Sequence, residues 1–272
     1  MSNTRIAFIG YGEVGQLFAR QLIAGTKASV TAYDIKLDAP ETALPLVAQA
    51  SRDGVRLAQS AAEAADGVEL VFSAVTASAA QDVAREAASY LRPGQILFDI
   101  NSASPNTKAR CAEGLAGRGL DYVEGAVMAP VAEPGIKVSI LTGGAKAAPF
   151  SDRLNALGMN LRPVAETIGR ASATKLCRSI MIKGLEALII DSARASRHWG
   201  VSDDVFASLA ETFPSIDWPR LAETMDARVA RHGIRRAAEM REAAAMLAEM
   251  GMPPGLSEAI ADAHERRARE NS

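Results

Sequence analysis

Arg5-Ile6-Ala7-Phe8-Ile9-Gly10-Tyr11-Gly12-Glu13-Val14-Gly15 decides how the rest of the chain is read. The apolar run after Arg5 suits a buried parallel strand. Its glycines then fall at the spacing G-x-G-x-x-G. Gly10 permits a tight turn out of the strand, and Gly12 lets a pyrophosphate approach the backbone. Gly15 lets the following helix pack closely on the sheet. That helix begins near Glu13, with Val14, Leu17, Phe18 and Leu22 on one face. Its N-terminal N–H groups would face phosphates. The glycine pattern alone is a weak signal. Set between a strand and an amphipathic helix, it predicts dinucleotide binding through Gly10, Tyr11, Gly12, Glu13 and Val14.

A second strand, Ser29-Val30-Thr31-Ala32-Tyr33-Asp34, ends in an acid at the distance where a ribose-binding carboxylate is expected. Asp34 would accept hydrogen bonds from ribose hydroxyls and repel a 2′-phosphate. NAD is therefore expected over NADP, although Lys36 could meet a phosphate. Further strands are expected at 68–73, 95–100, 121–124 and 138–142, with helices near 78–90, 105–118 and 146–157. This alternation predicts a doubly wound, mostly parallel sheet of the Rossmann kind. Ligands of such sheets bind beyond the carboxyl ends of the strands. Three strand-end loops are thereby singled out, and Ala74, Val75 and Thr76 in the first, with Asn101 in the second, are expected at the cofactor. Asn101 and Ser102 in the second are free to face ligand, while Ser104-Pro105 reads as a helix cap. The third loop is Gly125 to Pro130, including Met128.

Past Thr167-Ile168-Gly169 no strand pattern recurs, so a dinucleotide-binding domain is expected over 1–168 and an all-α domain over 169–272. Ala171 to Trp199 reads as one long helix, roughly 40 Å at 1.5 Å per residue, joining the two. Lys175 lies near its start, with Ser179 one turn on and Glu186 at nearly the same angle. On periodicity alone, Lys175 is either an ordinary solvated lysine or a general acid/base. In the second case, partial burial and a neighbouring Arg178 would lower its pKa. A later helix, about Arg220 to Met250, carries the apolar seam Ala222, Met225, Val229, Met240, Ala243, Leu247, Met250. His232 and Arg236 fall within that seam. They read as an internal ion pair with Glu239, as a substrate or subunit contact, or as a break in register at Gly233.

The 272 residues carry a net charge of only -2 and no extended basic block, which argues against a nucleic-acid surface. No metal-ligand spacing occurs among the three histidines. No apolar run is long enough for a membrane, and no signal peptide is expected ahead of the first strand. Two distant cysteines, Cys111 and Cys177, fit a reducing cytoplasm.

The chain resembles the β-hydroxyacid dehydrogenases, the group of 3-hydroxyisobutyrate and 6-phosphogluconate dehydrogenases. Three motifs carry the resemblance: the Gly10–Gly15 fingerprint, Asp99-Ile100-Asn101-Ser102-Ala103-Ser104-Pro105, and Gly169-Arg170-Ala171-Ser172-Ala173-Thr174-Lys175. The resemblance implies a Rossmann domain followed by an all-α domain that commonly dimerises, in a branch with a shorter helical domain. It implies hydride transfer between a nicotinamide cofactor and the alcohol carbon of a hydroxyacid-like metabolite. Lys175 would be the catalytic residue, with Asn101, Ser102, Met128 and Ser179 at the substrate. Alternatives are oxidative decarboxylation with Glu186 as the added acid, imine reduction, which Lys175 counts against, and a cofactor-binding sensor without turnover. Two departures stand out. Met128 and Pro130 occupy the loop that holds the substrate carboxylate in the family, and Ser179 stands where the family has Asn.

Overall fold

The computed structural model describes residues 4–26 and 28–270. Two compact units divide the chain, Met1–Lys175 and Leu176–Ser272. The division falls inside a helix rather than at the loop before it, where the sequence suggested a boundary.

In the first unit the chain runs β1 (Arg5–Ile9), α1 (Glu13–Gly25), β2 (Ser29–Tyr33), α2 (Pro40–Asp53), β3 (Arg56–Leu57), α3 (Ala61–Ala65), β4 (Leu70–Ser73) and α4 (Ala80–Tyr90). It continues through β5 (Ile96–Asp99), α5 (Pro105–Ala116), β6 (Asp121–Val127), β7 (Ser139–Gly143), α6 (Ala147–Asn155) and β8 (Asn160–Ala165). The strands form one sheet in the order β3-β2-β1-β4-β5-β6-β7-β8. All neighbours are parallel except β6 and β7. Both faces are covered by apolar clusters. One is built on Phe8, Phe72 and Phe98, the other on Ile9, Val71 and Leu97. Double coverage explains why these strands read as continuous apolar runs rather than alternating ones. The strand order reverses between β1 and β4, which is where such sheets open a ligand crevice.

Two strands escaped the sequence reading. β3 is only two residues long. β8 carries Pro163 and exposed polar residues, which an edge strand tolerates and a central strand does not. The third strand-end loop is shorter than expected, because Gly125-Ala126-Val127 continue β6 and pair with β7.

Helix α7 (Arg170–Trp199) is 30 residues long. The second unit comprises its later part with α8 (Ser202–Thr212), α9 (Trp218–Glu249) and α10 (Gly255–Arg269). Its core holds Leu176, Ala187, Ala237, Met240, Ala243, Met246, Ile260 and Ala261. The expected seam of α9 is corrected here. The buried line passes through Val229, Gly233, Ala237, Met240 and Ala244, so His232 lies outside it on an exposed position and Arg236 at its margin. Gly233 does not loosen the helix. A Cβ there would strike the His264 carbonyl oxygen of α10, so the glycine allows the two helices to approach. No helix among the described residues is long and apolar enough to cross a membrane.

Candidate active site at the carboxyl edge of the sheet

The fingerprint glycines serve three separate purposes. Gly10 has φ +94°, and a Cβ there would run into the Ala74 carbonyl. Gly15 would place a Cβ 2.5 Å from the Gly10 oxygen, so only glycine lets α1 start this close to the turn. Gly12 is different: no atom lies within 4 Å of a Cβ built on it. The space beside Gly12 is open at the N-terminus of α1, and Gly12, as N-cap, has no side chain to cap the helix. A diphosphate fits there on geometry and on the sign of the helix dipole. Glu13 is exposed at the first helical position, and Val14 packs against the core.

Tyr11 turns inward. Its side chain is buried, and its hydroxyl donates to Asp53 Oδ2 at 2.7 Å. Burial first, then the hydrogen bond to Asp53, pushes this phenol well above the ordinary tyrosine range. The Tyr11 N–H donates to Asp34 Oδ2 at 2.7 Å, and the Lys36 N–H donates to Asp34 Oδ1 at 3.0 Å. Two backbone donors thus orient the Asp34 carboxylate beside the fingerprint. The side chain remains partly exposed, with acceptor capacity left for sugar hydroxyls.

One register row runs along the carboxyl edge: Tyr33, Ile9, Ser73, Asp99, Glu124, Gly143. Ser73, Asp99 and Glu124 in that row are all buried. Each organises a loop. Ser73 Oγ accepts from Asn101 Nδ2 at 2.9 Å, while Asn101 Oδ1 accepts from the Val75 N–H at 2.7 Å. Asn101 is therefore not free to face a ligand as the sequence suggested. It staples the β5 loop to the β4 loop, and Val75 in turn abuts Gly10. Thr76 remains exposed. Asp99 accepts from Lys108 Nζ at 2.7 Å, Tyr122 OH at 2.7 Å and the Asn101 N–H at 2.9 Å. The Lys108 ammonium also donates to the Asp99 carbonyl at 2.8 Å. Burial, and then the neighbouring Asp99 charge, pushes the Cys111 thiol up to about 11. Ser104 caps α5 by accepting from the Thr107 N–H.

Glu124 is wholly buried and grips the start of α7. Oε1 accepts from the N–H groups of Gly169 at 2.7 Å and Ala171 at 3.1 Å. Oε2 accepts from the Ser172 N–H at 3.3 Å and the Ser172 hydroxyl at 2.9 Å. One turn further, the partly buried Lys175 donates from Nζ to Ser102 Oγ on the β5 loop. A chain of contacts therefore leads from the lysine through Ser102, Asn101 and Val75 to Gly10. Met128 packs with Ala126, Leu141 and Ala171 at the first turn of α7, and its N–H is spent on the Ser139 carbonyl at 2.9 Å.

Lys108, Tyr122 and Glu124 were missed in the sequence. A faint signal exists: the apolar runs of β4, β5 and the first part of β6 each meet a polar residue at the same level, Ser73, Asp99 and Glu124.

In the helical unit, Ser179 Oγ donates to Glu239 Oε1 at 2.7 Å, and Lys183 Nζ lies 3.1 Å from Glu239 Oε2. Burial lowers the Lys183 pKa, against the pull of Glu239. Of the alternatives open for Arg236, an internal ion pair is formed, with Glu186 rather than Glu239, through Nε at 3.0 Å and a second nitrogen. Its guanidinium is thus committed to a carboxylate of its own unit rather than to an anionic substrate. Glu186 is fully buried and also accepts from Arg228 at 3.2 Å, so both of its oxygens are engaged by arginines of its own unit. Buried His264 shares a hydrogen bond with the Lys183 carbonyl, and burial lowers its pKa. Arg178 and His198 are exposed.

An open, mostly parallel sheet with a glycine turn at its reversal point and a helical second unit defines a dinucleotide-binding α/β protein. Residues 5–158 match the NAD binding domain of 6-phosphogluconate dehydrogenase, and residues 196–267 match a domain of unknown function, DUF1932. The chain belongs to the β-hydroxyacid dehydrogenase superfamily, in a branch with a short C-terminal helical domain, and its cofactor is a nicotinamide dinucleotide. A conserved hypothetical protein from Sinorhizobium meliloti is similar at 39% identity and TM-score 0.82, over 98% of this chain and 89% of that one. The conserved protein MTH1747, of unknown function and described as structurally similar to 3-hydroxyacid dehydrogenases, is 30% identical, with TM-score 0.76 over 98% and 99%. The 3-hydroxyisobutyrate dehydrogenase of Mycobacterium tuberculosis shares the fold at 17% identity, with TM-score 0.78 over 99% and 95%.

Proposed function

We propose that this protein is an NAD(P)-dependent oxidoreductase acting on the alcohol carbon of a hydroxyacid-like metabolite, with Lys175 as general acid/base. The observation that carries the reading is the Lys175 amine on the Ser102 hydroxyl, at the end of β5 and linked to the fingerprint turn. The bound dinucleotide supplies the hydride acceptor in oxidation and the donor in reduction. Gly10, Gly12 and α1 would hold its phosphates and Asp34 its ribose, and the Ala74–Thr76 loop would border it. In oxidation, Lys175 as the neutral amine would take the proton of the substrate hydroxyl. In reduction, the ammonium returns that proton to the oxygen. Ser102 orients the amine. Asp34 favours NAD, since a carboxylate repels a 2′-phosphate. Met128 presents an apolar wall, whereas the Ser179 hydroxyl is spent on Glu239. We take the protein as cytoplasmic and homodimeric through its helices, the latter because Met181, Leu185 and Leu188 are exposed at helical spacing on α7.

The test is NAD(P)H absorbance with a panel of hydroxyacids, for the wild type and Lys175→Ala. The variant should bind NADH normally and lose about 10²–10⁴-fold in kcat. Full turnover in the variant would remove Lys175 from the chemistry. Tight NADH binding by the wild type with no reaction across the panel would favour a sensor.

A further inference from the structure

We infer that Glu124 is the positioning residue for Lys175, setting the first turn of α7 so that the amine meets Ser102. The inference builds on the functional reading above but is measured partly without turnover.

Buried carboxylates are costly unless their acceptor sites are filled. Glu124 resolves this with four donors, and all four belong to the entry of α7. Three are backbone N–H groups that would otherwise be orphaned at a helix start. The carboxylate is thus a helix cap supplied from a distant strand, with charge matched to the helix dipole. Its grip is bought with side-chain space nearby. A Cβ on Gly143 would stand 2.5 Å from Glu124 Oε1, so the paired strand β7 must be glycine here. Gly169, at φ +103°, delivers its N–H from a conformation that other residues resist. A Cβ there would also approach Pro105, the first residue of α5, at 3.3 Å.

The consequence is geometric. Asp99 and Glu124 are register partners on adjacent strands. Asp99 fixes the start of the loop that bears Ser102, and Glu124 fixes the start of the helix that bears Lys175. Adjacent rungs of one rigid sheet therefore hold the two halves of the pair. Lys175 lies one turn past the last gripped residue, so a small rotation of the first turn carries its nitrogen away from Ser102. Catalytic groups tolerate little such error, since a displacement of about 1 Å can cost roughly 100-fold in rate.

The experiment compares Glu124→Met, which keeps length and loses all acceptor oxygens, with Glu124→Gln, which keeps one. Both are checked for fold by circular dichroism and NADH binding. The expected result for Glu124→Met is kcat down about 100-fold with KM little changed, and for Glu124→Gln an intermediate loss. Amide exchange should quicken over residues 169–175 while β1, β4 and β5 stay protected. Reductive methylation of Lys175, read by mass spectrometry, should quicken as the amine leaves Ser102. Unchanged local exchange and unchanged Lys175 labelling in a folded variant would overturn the inference, as would exchange that rises evenly through the sheet. Should Glu124→Met fail to fold, Ser172→Ala and Gly143→Ala disturb the same grip. They are expected to quicken exchange over the same residues, and no local change in either would be decisive against it. If Lys175→Ala keeps turnover, the functional reading fails, while the exchange and labelling results still decide the role of Glu124.

Discussion

Both units bury carboxylates, but they use them differently. At the carboxyl edge of the sheet, Glu124 takes mostly backbone donors, and Asp99 takes a backbone donor together with Lys108 and Tyr122. In the helical unit, Glu186 and Glu239 take side chains: Arg228, Arg236, Lys183 and Ser179. The first arrangement shapes loops and a helix entry, so its disruption should be felt in binding and turnover. The second ties helix to helix, so its disruption should be felt in stability. The contrast reflects where ends of main chain are left unpaired. Strand ends and helix starts carry orphan N–H groups, whereas the middle of a helix has none to offer.

The contrast can be broken most severely at Lys108, which is completely buried. Lys108→Met strips Asp99 of its cation and is expected to cost about 3–5 kcal/mol in urea unfolding. In the folded fraction it should also lower turnover, because the Ser102 loop is released. A loss of stability with kcat unchanged would place Asp99 with the merely structural carboxylates. Glu186→Gln is the matching change in the helical unit. It should cost about 3 kcal/mol and leave NADH affinity within twofold, as read by fluorescence titration. A large fall in affinity would erase the distinction between the units.

Gly233→Ala and Gly12→Ala sharpen the comparison. The first forces a methyl onto the His264 carbonyl and should cost about 1–3 kcal/mol with no effect on NADH binding. The second adds a methyl to open space at ordinary φ, so it should leave the empty protein as stable or up to about 1 kcal/mol more stable. It should nonetheless weaken NADH binding at least about tenfold, because that space is where a diphosphate would stand. Undiminished binding would move the phosphates elsewhere.

The smallest effect is on pH. Burial holds the folded His264 pKa below its ordinary value, opposed by Glu186 and the Lys183 carbonyl and reinforced by Arg236 and Lys183. The folded state thus binds fewer protons than the unfolded state near pH 6.5. Stability is full above the unfolded pKa and declines as pH falls through it, until the folded pKa is passed. A comparison of Tm from pH 8 to 5 should show a steeper acid decline for the wild type than for His264→Asn. Parallel curves would mean that His264 is not the group that titrates.

Much of this was legible in the chain. The Gly10–Gly15 spacing, the apolar runs and the acid ending the second strand specify a nucleotide-binding sheet through local sterics and periodicity, which depend on neighbours in sequence. Ser104 as a cap and the long helix read from Ala171 were equally local. Lys175 could be singled out only by resemblance, since a lysine on a helix has no distinguishing pattern. Asn101 was misread as ligand-facing because its partners, Ser73 and Val75, lie on another strand end. For Arg236 the sequence left an internal ion pair, a substrate or subunit contact and a break in register open, and its actual partner, Glu186, lies on another helix 50 residues away. Lys108 could not be recognised from its own surroundings, and Glu124 only faintly, by the polar residues that end neighbouring strands at one level. A buried charge is defined by the donors that surround it, and here those donors come from segments far away in the chain. Local sequence therefore determined most of the elements and the glycine turn of a dinucleotide-binding sheet. The tertiary structure alone decided which charges are buried, what they hold, and that the Lys175 amine meets Ser102.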